Sequence, residues 1–385
     1  MMVTQFCYYL PTKIIFGQPV VEALALELAV LKLERVLLVS DPGLVQVGLV
    51  EQISQGLSQS GARLTTFSQV SSNPTTTEVA AGLALAQEQG VELLVALGGG
   101  SALDVAKAVA MLLANGGSYA DYQWGGRAIT RRSYPLLAVP TTAGTGSEVS
   151  KVAVIVDPAN PFKKGVLSPL MFPHVAILDP ELTRSLPAWL TAATGMDAFV
   201  HALESYIGLG ANPFTDQLAL ASLRLIQTML PRATVDGADM EARQAMMLAA
   251  LWAGTAMDHA GLGLIHALSG PLTGHLHLHH GLANALLLPY VMRFNLPAVP
   301  AERRQVLAHL FGLPVESDQA WLEWLTGFVG HLGLPTRFSE LDRTLDALDW
   351  DSIAAETTRM VLIKNNPRPA SMADCRAILE GMRTQ

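Results

Sequence analysis

Asp197 and His201 stand four residues apart in the segment Leu190–Ile207, whose apolar spacing predicts a helix. That interval puts a carboxylate and an imidazole on one helical face, about one turn apart. Ala198, Phe199 and Val200 lie between them, so this face points toward a protein interior. Such a pair either binds a divalent metal or forms a buried hydrogen-bonded couple. His266 occupies the apolar stretch GLGLIHAL (261–268), and His280 follows fourteen residues later at the start of HGLAN. Four oxygen and nitrogen ligands drawn from these three segments suit Fe2+ or Zn2+, with positions left over for substrate. Spacing alone does not join them, because an apolar-flanked histidine serves equally well as a satisfied core residue. The run His275–His280 (HLHLHH) holds four histidines in six positions. In an extended chain His275, His277 and His279 would share one side, and composition does not choose among the four.

A second kind of chemistry is suggested by two glycine-rich turns. The apolar run Leu93–Leu97 leads straight into Gly98-Gly99-Gly100-Ser101, where a helix is expected to begin. Glycines at a strand-to-helix turn let the backbone approach a phosphate, and the free N–H groups and helix dipole attract the anion. Ser101 and Asp104 form an S-x-x-D pattern that reads as a capping box. The turn is not the GxGxxG dinucleotide fingerprint. The second turn, PTTAGTGSE (140–148), also follows an apolar run and concentrates the hydroxyls of Thr141, Thr142 and Ser147. Two such loops at the ends of neighbouring strands favour a nucleotide site. Asp41 follows the run RVLLVS and either bonds a ribose hydroxyl or turns the chain into Pro42-Gly43.

The elements that must position these groups fall into two halves. Short apolar runs at Arg35–Ser40, Leu93–Leu97, Leu136–Val139, Val152–Val156 and Val175–Leu178 read as buried parallel strands. Helical patterns such as Thr77–Gln89 and Ser101–Ala114 lie between them, which argues for an α/β domain with a parallel sheet. Asp157–Lys164 reads as a loop or hairpin within it. Beyond Ser185-Leu186-Pro187 the patterns at 190–207, 215–229, 240–258 and 301–311 are helical, and Gly312 is placed to end the last. The expectation is an α/β domain over 1–185 and an all-helical domain over 186–385.

Bulk properties exclude several classes. Half of the 385 residues are hydrophobic and 15% are charged, which suits a well-buried protein of about two domains. The net charge of −8 and the lack of a Lys/Arg run argue against nucleic acid as a partner. No apolar run reaches the roughly 18 residues of a membrane span, and the N-terminus lacks the pattern of a signal peptide. Cys7 and Cys375 form no framework, so a cytoplasmic location is expected.

Taken together, the segments resemble the iron-containing (group III) alcohol dehydrogenases. GGGSALDVAKAVA (98–110), PTTAGTGSEVS (140–150), HVAILDPELT (174–183), LTAATGMDAFVHALESY (190–206), GLGLIHAL (261–268) and HGLANALLLPYVMRFN (280–295) carry the likeness, with weaker matches at IIFG (14–17), SNPT (72–75) and NNPRP (365–369). The resemblance implies a Rossmann-like domain followed by a helical one, as in dehydroquinate synthase, with the active site in the cleft between them. It implies the ligand set Asp197, His201, His266 and His280, holding Fe2+ or Zn2+. It lays Gly98, Gly99, Gly100, Ser101, Thr141, Thr142, Ser147 and Lys164 along the dinucleotide, with Asp104 on the nicotinamide side. Asp41 matches a position where NAD-preferring members carry an acid, which favours NAD over NADP. The implied activity is hydride transfer between NAD and a small alcohol or its carbonyl partner, in a homodimer. Neighbouring readings within the superfamily are glycerol-dehydrogenase-like and maleylacetate-reductase-like enzymes. More distant ones are a dehydroquinate-synthase-like lyase and a non-enzymatic nucleotide binder. One departure is evident: where members commonly carry a second histidine in H-x-x-x-H, this chain has Gly270. His277 and His259, in segments flanking the site, are the candidates to take over its proton transfer.

Overall fold

The structure is a computed structural model that describes residues 5–384, apart from Trp124, Ala159 and 342–347 and the side chains of 160–164 and Thr384. The chain divides into two units. One comprises Tyr9–Thr142 and Gly146–Thr183, and the other comprises Met1–Tyr8, Ala143–Thr145 and Arg184–Gln385.

The first unit contains β1 (Lys13–Phe16), β2 (Arg35–Val39), β3 (Arg63–Phe67), β4 (Leu93–Gly98), β5 (Leu136–Pro140), β6 (Val152–Asp157), β7 (Asn160–Leu167) and β8 (Val175–Leu178). Six of them form one parallel sheet in the order β1-β8-β5-β4-β2-β3. Helices α1 (Val20–Leu31), α2 (Pro42–Gln46), α3 (Leu49–Gln59), α4 (Thr76–Glu88) and α5 (Gly100–Asn115) connect the strands. The continuous apolar runs have a simple cause: alternate residues go to opposite faces, and both faces are covered. Leu37, Val39, Leu94, Ala96 and Ala138 pack with Val79, Val105 and Val109 of α4 and α5. Val36, Leu38, Leu93, Val95, Leu137 and Val139 pack with Leu24, Leu28, Ile53 and Leu57 of α1 and α3.

Val152–Val156 was expected in this sheet but lies outside it. β6 pairs antiparallel with β7 in a separate two-stranded ribbon. Its burial alternates instead of being continuous, with Ala153 and Ile155 inward and Val154 exposed, as befits a strand covered on one face. β1 and β3 join the sheet although neither has a long apolar run. KIIF is short, and RLTTF is only partly buried as the strand at the sheet's other edge.

In the second unit the described elements are helical: α6 (Ala188–Ile207), α7 (Pro213–Val235), α8 (Met240–Ala260), α9 (Leu264–Leu276), α10 (His280–Asn295), α11 (Ala301–Phe311), α12 (Asp318–His331), α13 (Trp350–Arg359) and α14 (Met372–Thr384), with short 3-10 turns between some of them. Gly312 closes α11 in the left-handed conformation at φ 69°, as its position suggested. Among the described residues no helix is long and apolar enough to cross a membrane.

Candidate active site

The helical unit brings the metal-ligand candidates together. Asp197 and His201 share one face of α6, His266 sits in the first turn of α9, and His280 is the first residue of α10. Nε2 of His201, His266 and His280 lies 3.6, 3.5 and 3.7 Å from Oδ1 of Asp197. Ligand atoms of Asp197, His201 and His266 all fall within 4.8 Å of one another. The His201 and His266 rings stack with centroids 4.7 Å apart. Side-chain exposure is 4–5% for Asp197, His201 and His266 but 42% for His280, so the cluster opens on the His280 side.

Close helix packing produces this convergence. At Gly281 a Cβ would collide with the Ala193 carbonyl oxygen, so only glycine lets α10 begin against α6 beside Asp197. The histidine run is not extended. α9 continues to Leu276, His277 is left-handed at φ 51°, and His279 caps α10. Position at a helix start, not alternation, singles out His280.

Glu204 completes the arrangement and was not anticipated from the sequence. It lies on α6 three residues beyond His201 and is 1% exposed. Oε2 accepts from His266 Nδ1 at 2.7 Å and from the Gly263 N–H at 3.0 Å, and Oε1 accepts from the Ile265 N–H at 2.7 Å. The carboxylate therefore fixes the His266 ring and caps the exposed amides that begin α9. Asn366 supports the same turn. Its Oδ1 accepts from Leu264 N–H at 3.2 Å and from Asn295 Nδ2 at 2.9 Å, while its Nδ2 donates to Asn295 Oδ1 at 2.7 Å. Asn365 Nδ2 donates to the Leu262 carbonyl at 3.2 Å. The NNPRP segment thus clamps the loop that presents His266.

Charge follows burial and partners. Burial favours the neutral Asp197 carboxyl, but its interactions with the His201, His266 and His280 imidazoles hold it well below the usual carboxylate range. Burial pushes His201 down to about 4, so it is neutral near pH 7. Burial opposes charge on His266 too, yet bonding to Asp197 and Glu204 prevails and lifts it to about 9. A carboxylate anion and a neutral imidazole are the ligand forms a metal requires, and a cation entering here displaces the proton of His266.

The α/β unit holds the first glycine turn and the two ends of the second at the carboxyl ends of adjacent strands, while Ala143–Thr145 group with the helical unit. β4 lies between β2 and β5, so Asp41, Gly98 and Thr141 follow neighbouring strands. The Thr141 N–H donates to the Gly98 carbonyl at 3.0 Å. A Cβ at Gly98 would meet Ala102 Cβ at 2.7 Å and Asp41 Oδ2 at 3.3 Å, which explains the glycine and places the acid beside the turn. Asp41 also caps α2, accepting from Leu44 N–H at 3.1 Å. The expected Ser101/Asp104 capping box does not form. Gly99 is the N-cap of α5, without a side-chain bond, so no capping side chain covers the helix's first amides. Ser101 Oγ donates instead to the Ser72 carbonyl at 3.0 Å. Asp104 accepts from Ser147 Oγ at 2.6 Å and from Val154 N–H at 2.8 Å, binding α5 to the second glycine turn and to β6. Beneath it the buried Lys107 donates to Ser150 Oγ and to the Val152 carbonyl. Gly100 begins α5, and the Thr142 side chain lies beside Gly99, where a Cβ would stand 3.4 Å from its methyl and 3.5 Å from its hydroxyl. The side chain of Lys164 lies outside the described residues.

The profile of iron-containing alcohol dehydrogenase matches residues 11–180, and that of the C-terminal part of the Fe-containing alcohol dehydrogenase family matches 191–382. The sequence is 35% identical over 379 residues to an NAD-dependent methanol dehydrogenase of Bacillus methanolicus, covering 97% of this chain and 98% of that one. It is 39% identical over 387 residues to a 4-hydroxybutyrate dehydrogenase of Cupriavidus necator, covering 97% and 99%. The solved structure of a 1,3-propanediol oxidoreductase superposes with a TM-score of 0.93 at 33% identity, over 98% of this chain and 100% of the other. The fold and site thus define an oxidoreductase that interconverts alcohols and carbonyl compounds. The chain belongs to the iron-containing alcohol dehydrogenase family.

Proposed function

We propose that Asp197, His201, His266 and His280 hold a divalent ion, Fe2+ or alternatively Zn2+, and that a small alcohol gives its hydride to NAD in preference to NADP. In the reverse direction the aldehyde or ketone takes the hydride. Convergence of three imidazole nitrogens within 3.7 Å of one buried carboxylate oxygen carries this reading. The donor set fits a borderline cation. A divalent ion bound there supplies Lewis acidity that lowers the alcohol's pKa toward neutrality.

The protein supplies orientation and charge. Glu204 keeps His266 Nδ1 engaged, so Nε2 faces Asp197. Gly281 sets His280 at the open side, where a substrate oxygen has access. In the α/β unit Gly98, Gly99, Gly100, Ser101, Thr141, Thr142 and Ser147 would line the dinucleotide, with Asp104 bracing the second turn. Asp41 supports NAD over NADP, because a carboxylate beside Gly98 repels a 2′-phosphate. Asp41→Ala is therefore expected to shift the NADP/NAD ratio of kcat/KM toward NADP by about tenfold, ~1.4 kcal/mol, in steady-state assays with both cofactors.

Gly270 leaves proton transfer to other groups. Of the two candidates, His259 has Nδ1 engaged by the Thr255 carbonyl at 2.8 Å and its ring stacked on Tyr8 at 4.3 Å. His277 is exposed, with direct access to solvent protons. His277→Ala is expected to alter the pH–rate profile more than His259→Ala. Unchanged profiles in both variants would remove both residues from the proton route.

The reading extends to a cytoplasmic homodimer: Cys7 and Cys375 are free, which suits a reducing compartment, and sedimentation would test the assembly. For the function itself, anaerobically purified protein should carry a stoichiometric divalent metal and reduce NAD with alcohols or diols. Full turnover in demonstrably metal-free protein would overturn the proposal.

A further inference from the structure

Asn284 has no place in the ligand set, yet it lies at its centre. It follows His280 by four residues on α10, so the two share a helical face, and it is 0% exposed. Its Nδ2 donates to Asp197 Oδ1 at 2.7 Å and lies 3.1 Å from His266 Nε2 and 3.4 Å from His280 Nε2. The amide nitrogen therefore touches three of the four ligand atoms. Among the described residues the amide oxygen, Oδ1, has no hydrogen-bond partner although it is buried. A buried carbonyl oxygen left without a donor calls for a physical reason.

We propose that Asn284 is a further oxygen donor to the cation, with its carboxamide turned nitrogen-first in the metal-free site and oxygen-first in the loaded one. A half-turn of the terminal torsion exchanges amide oxygen and nitrogen at nearly the same points. In the metal-free site an oxygen there would face the Asp197 carboxylate oxygen, 2.7 Å away, so the NH2 group is favoured. Once that carboxylate oxygen is directed to a cation, the NH2 group loses its acceptor and the amide oxygen gains a positive partner. The turn thus uses the orphaned oxygen. It also adds a donor beyond the four that zinc prefers, leaving Asp197, three imidazoles and a carbonyl to suit a cation of higher coordination number such as Fe2+. On this view Asn284 decides between metals and does not itself touch the alcohol.

The inference rests on the metal reading above, and its test separates the two. Wild-type protein, Asn284→Leu and Asn284→Asp are stripped of metal and equilibrated with Zn2+ against Mn2+, a redox-stable stand-in for Fe2+, with bound metal measured by elemental analysis. Visible absorption is then recorded for the Co2+-loaded proteins. Leucine keeps the volume and removes the oxygen; aspartate keeps an oxygen in either orientation. Asn284→Leu should lose Mn2+ affinity by about 10–100-fold relative to Zn2+, and its Co2+ absorption should strengthen toward the four-coordinate form. Asn284→Asp should retain the wild-type metal preference and Co2+ spectrum. If Asn284→Leu matches wild type in both readouts, the amide only braces Asp197 and the inference falls. Should the leucine variant not fold, loss of Mn2+ preference in Asn284→Asp overturns it equally. Failure of wild-type protein to bind any of these ions would instead defeat the metal reading itself.

Discussion

His266→Ala should abolish metal retention and alcohol turnover together while leaving NAD affinity nearly unchanged. The imidazole contributes one nitrogen to the cluster, and its removal exposes Asp197 and Glu204 to each other's charge across an emptied volume. Lewis acidity is worth several kcal/mol to the reacting oxygen, so kcat/KM should fall by about a thousandfold or more. NAD binding is the informative control, because Asp41 and the first glycine turn, Gly98–Ser101, belong to the other unit. Elemental analysis, steady-state kinetics and a fluorescence titration with NADH check the three parts. A variant that keeps its metal but loses turnover would place His266 in a different role.

The second large effect is expected at Glu204, a buried carboxylate that acts through His266. Each of its oxygens accepts only from N–H donors: Oε1 from Ile265, Oε2 from His266 and Gly263. Glutamine is therefore a poor substitute, since either orientation of its amide points an NH2 group at a buried donor. Glu204→Gln should lower stability by about 1–3 kcal/mol, the cost of an unsatisfied buried group. It should also weaken metal binding by about 10–100-fold, because His266 loses the carboxylate that orients it. Denaturant unfolding of metal-free protein and metal competition give the two numbers independently. A stability loss with unaltered metal affinity would make Glu204 a helix cap and nothing more.

Asp197 and His201 were legible because a helix converts an interval of four into a shared face, and their neighbours are apolar. Glu204 continues the same stripe at the next turn, so a buried carboxylate after D-x-x-x-H was an available signal that went unread. His280 is different. Four histidines in six positions look alike in composition, and the one that matters is set by where α9 ends and α10 begins. That boundary depends on the left-handed His277 and on the contact of Gly281 with the Ala193 carbonyl, both tertiary facts. The parallel sheet was read from its central strands, whose two covered faces give unbroken apolar runs. Its outer strands escape because partial burial interrupts their apolar pattern, whereas β6 is misplaced because VAVIV is apolar throughout although only one face is covered. Ser101 and Asp104 had the spacing of a capping box, but each found a better partner far along the chain, at Ser72 and Ser147.

The clamp formed by Asn365 and Asn366 has a consequence for synthesis. These residues hold the turn that presents His266, yet they are made about a hundred residues after it, in a chain that grows from the N-terminus at roughly 5–20 residues per second. All four ligand residues thus leave the ribosome some seconds before the support that fixes their geometry. A nascent chain offers an ion only a loose, solvent-exposed set of ligands, and the selective site exists only after translation has passed Asn366. On the proposed metal reading, metal choice is thereby deferred to a finished fold, when competition among ions is judged by the assembled site and not by whichever ion first meets the growing chain.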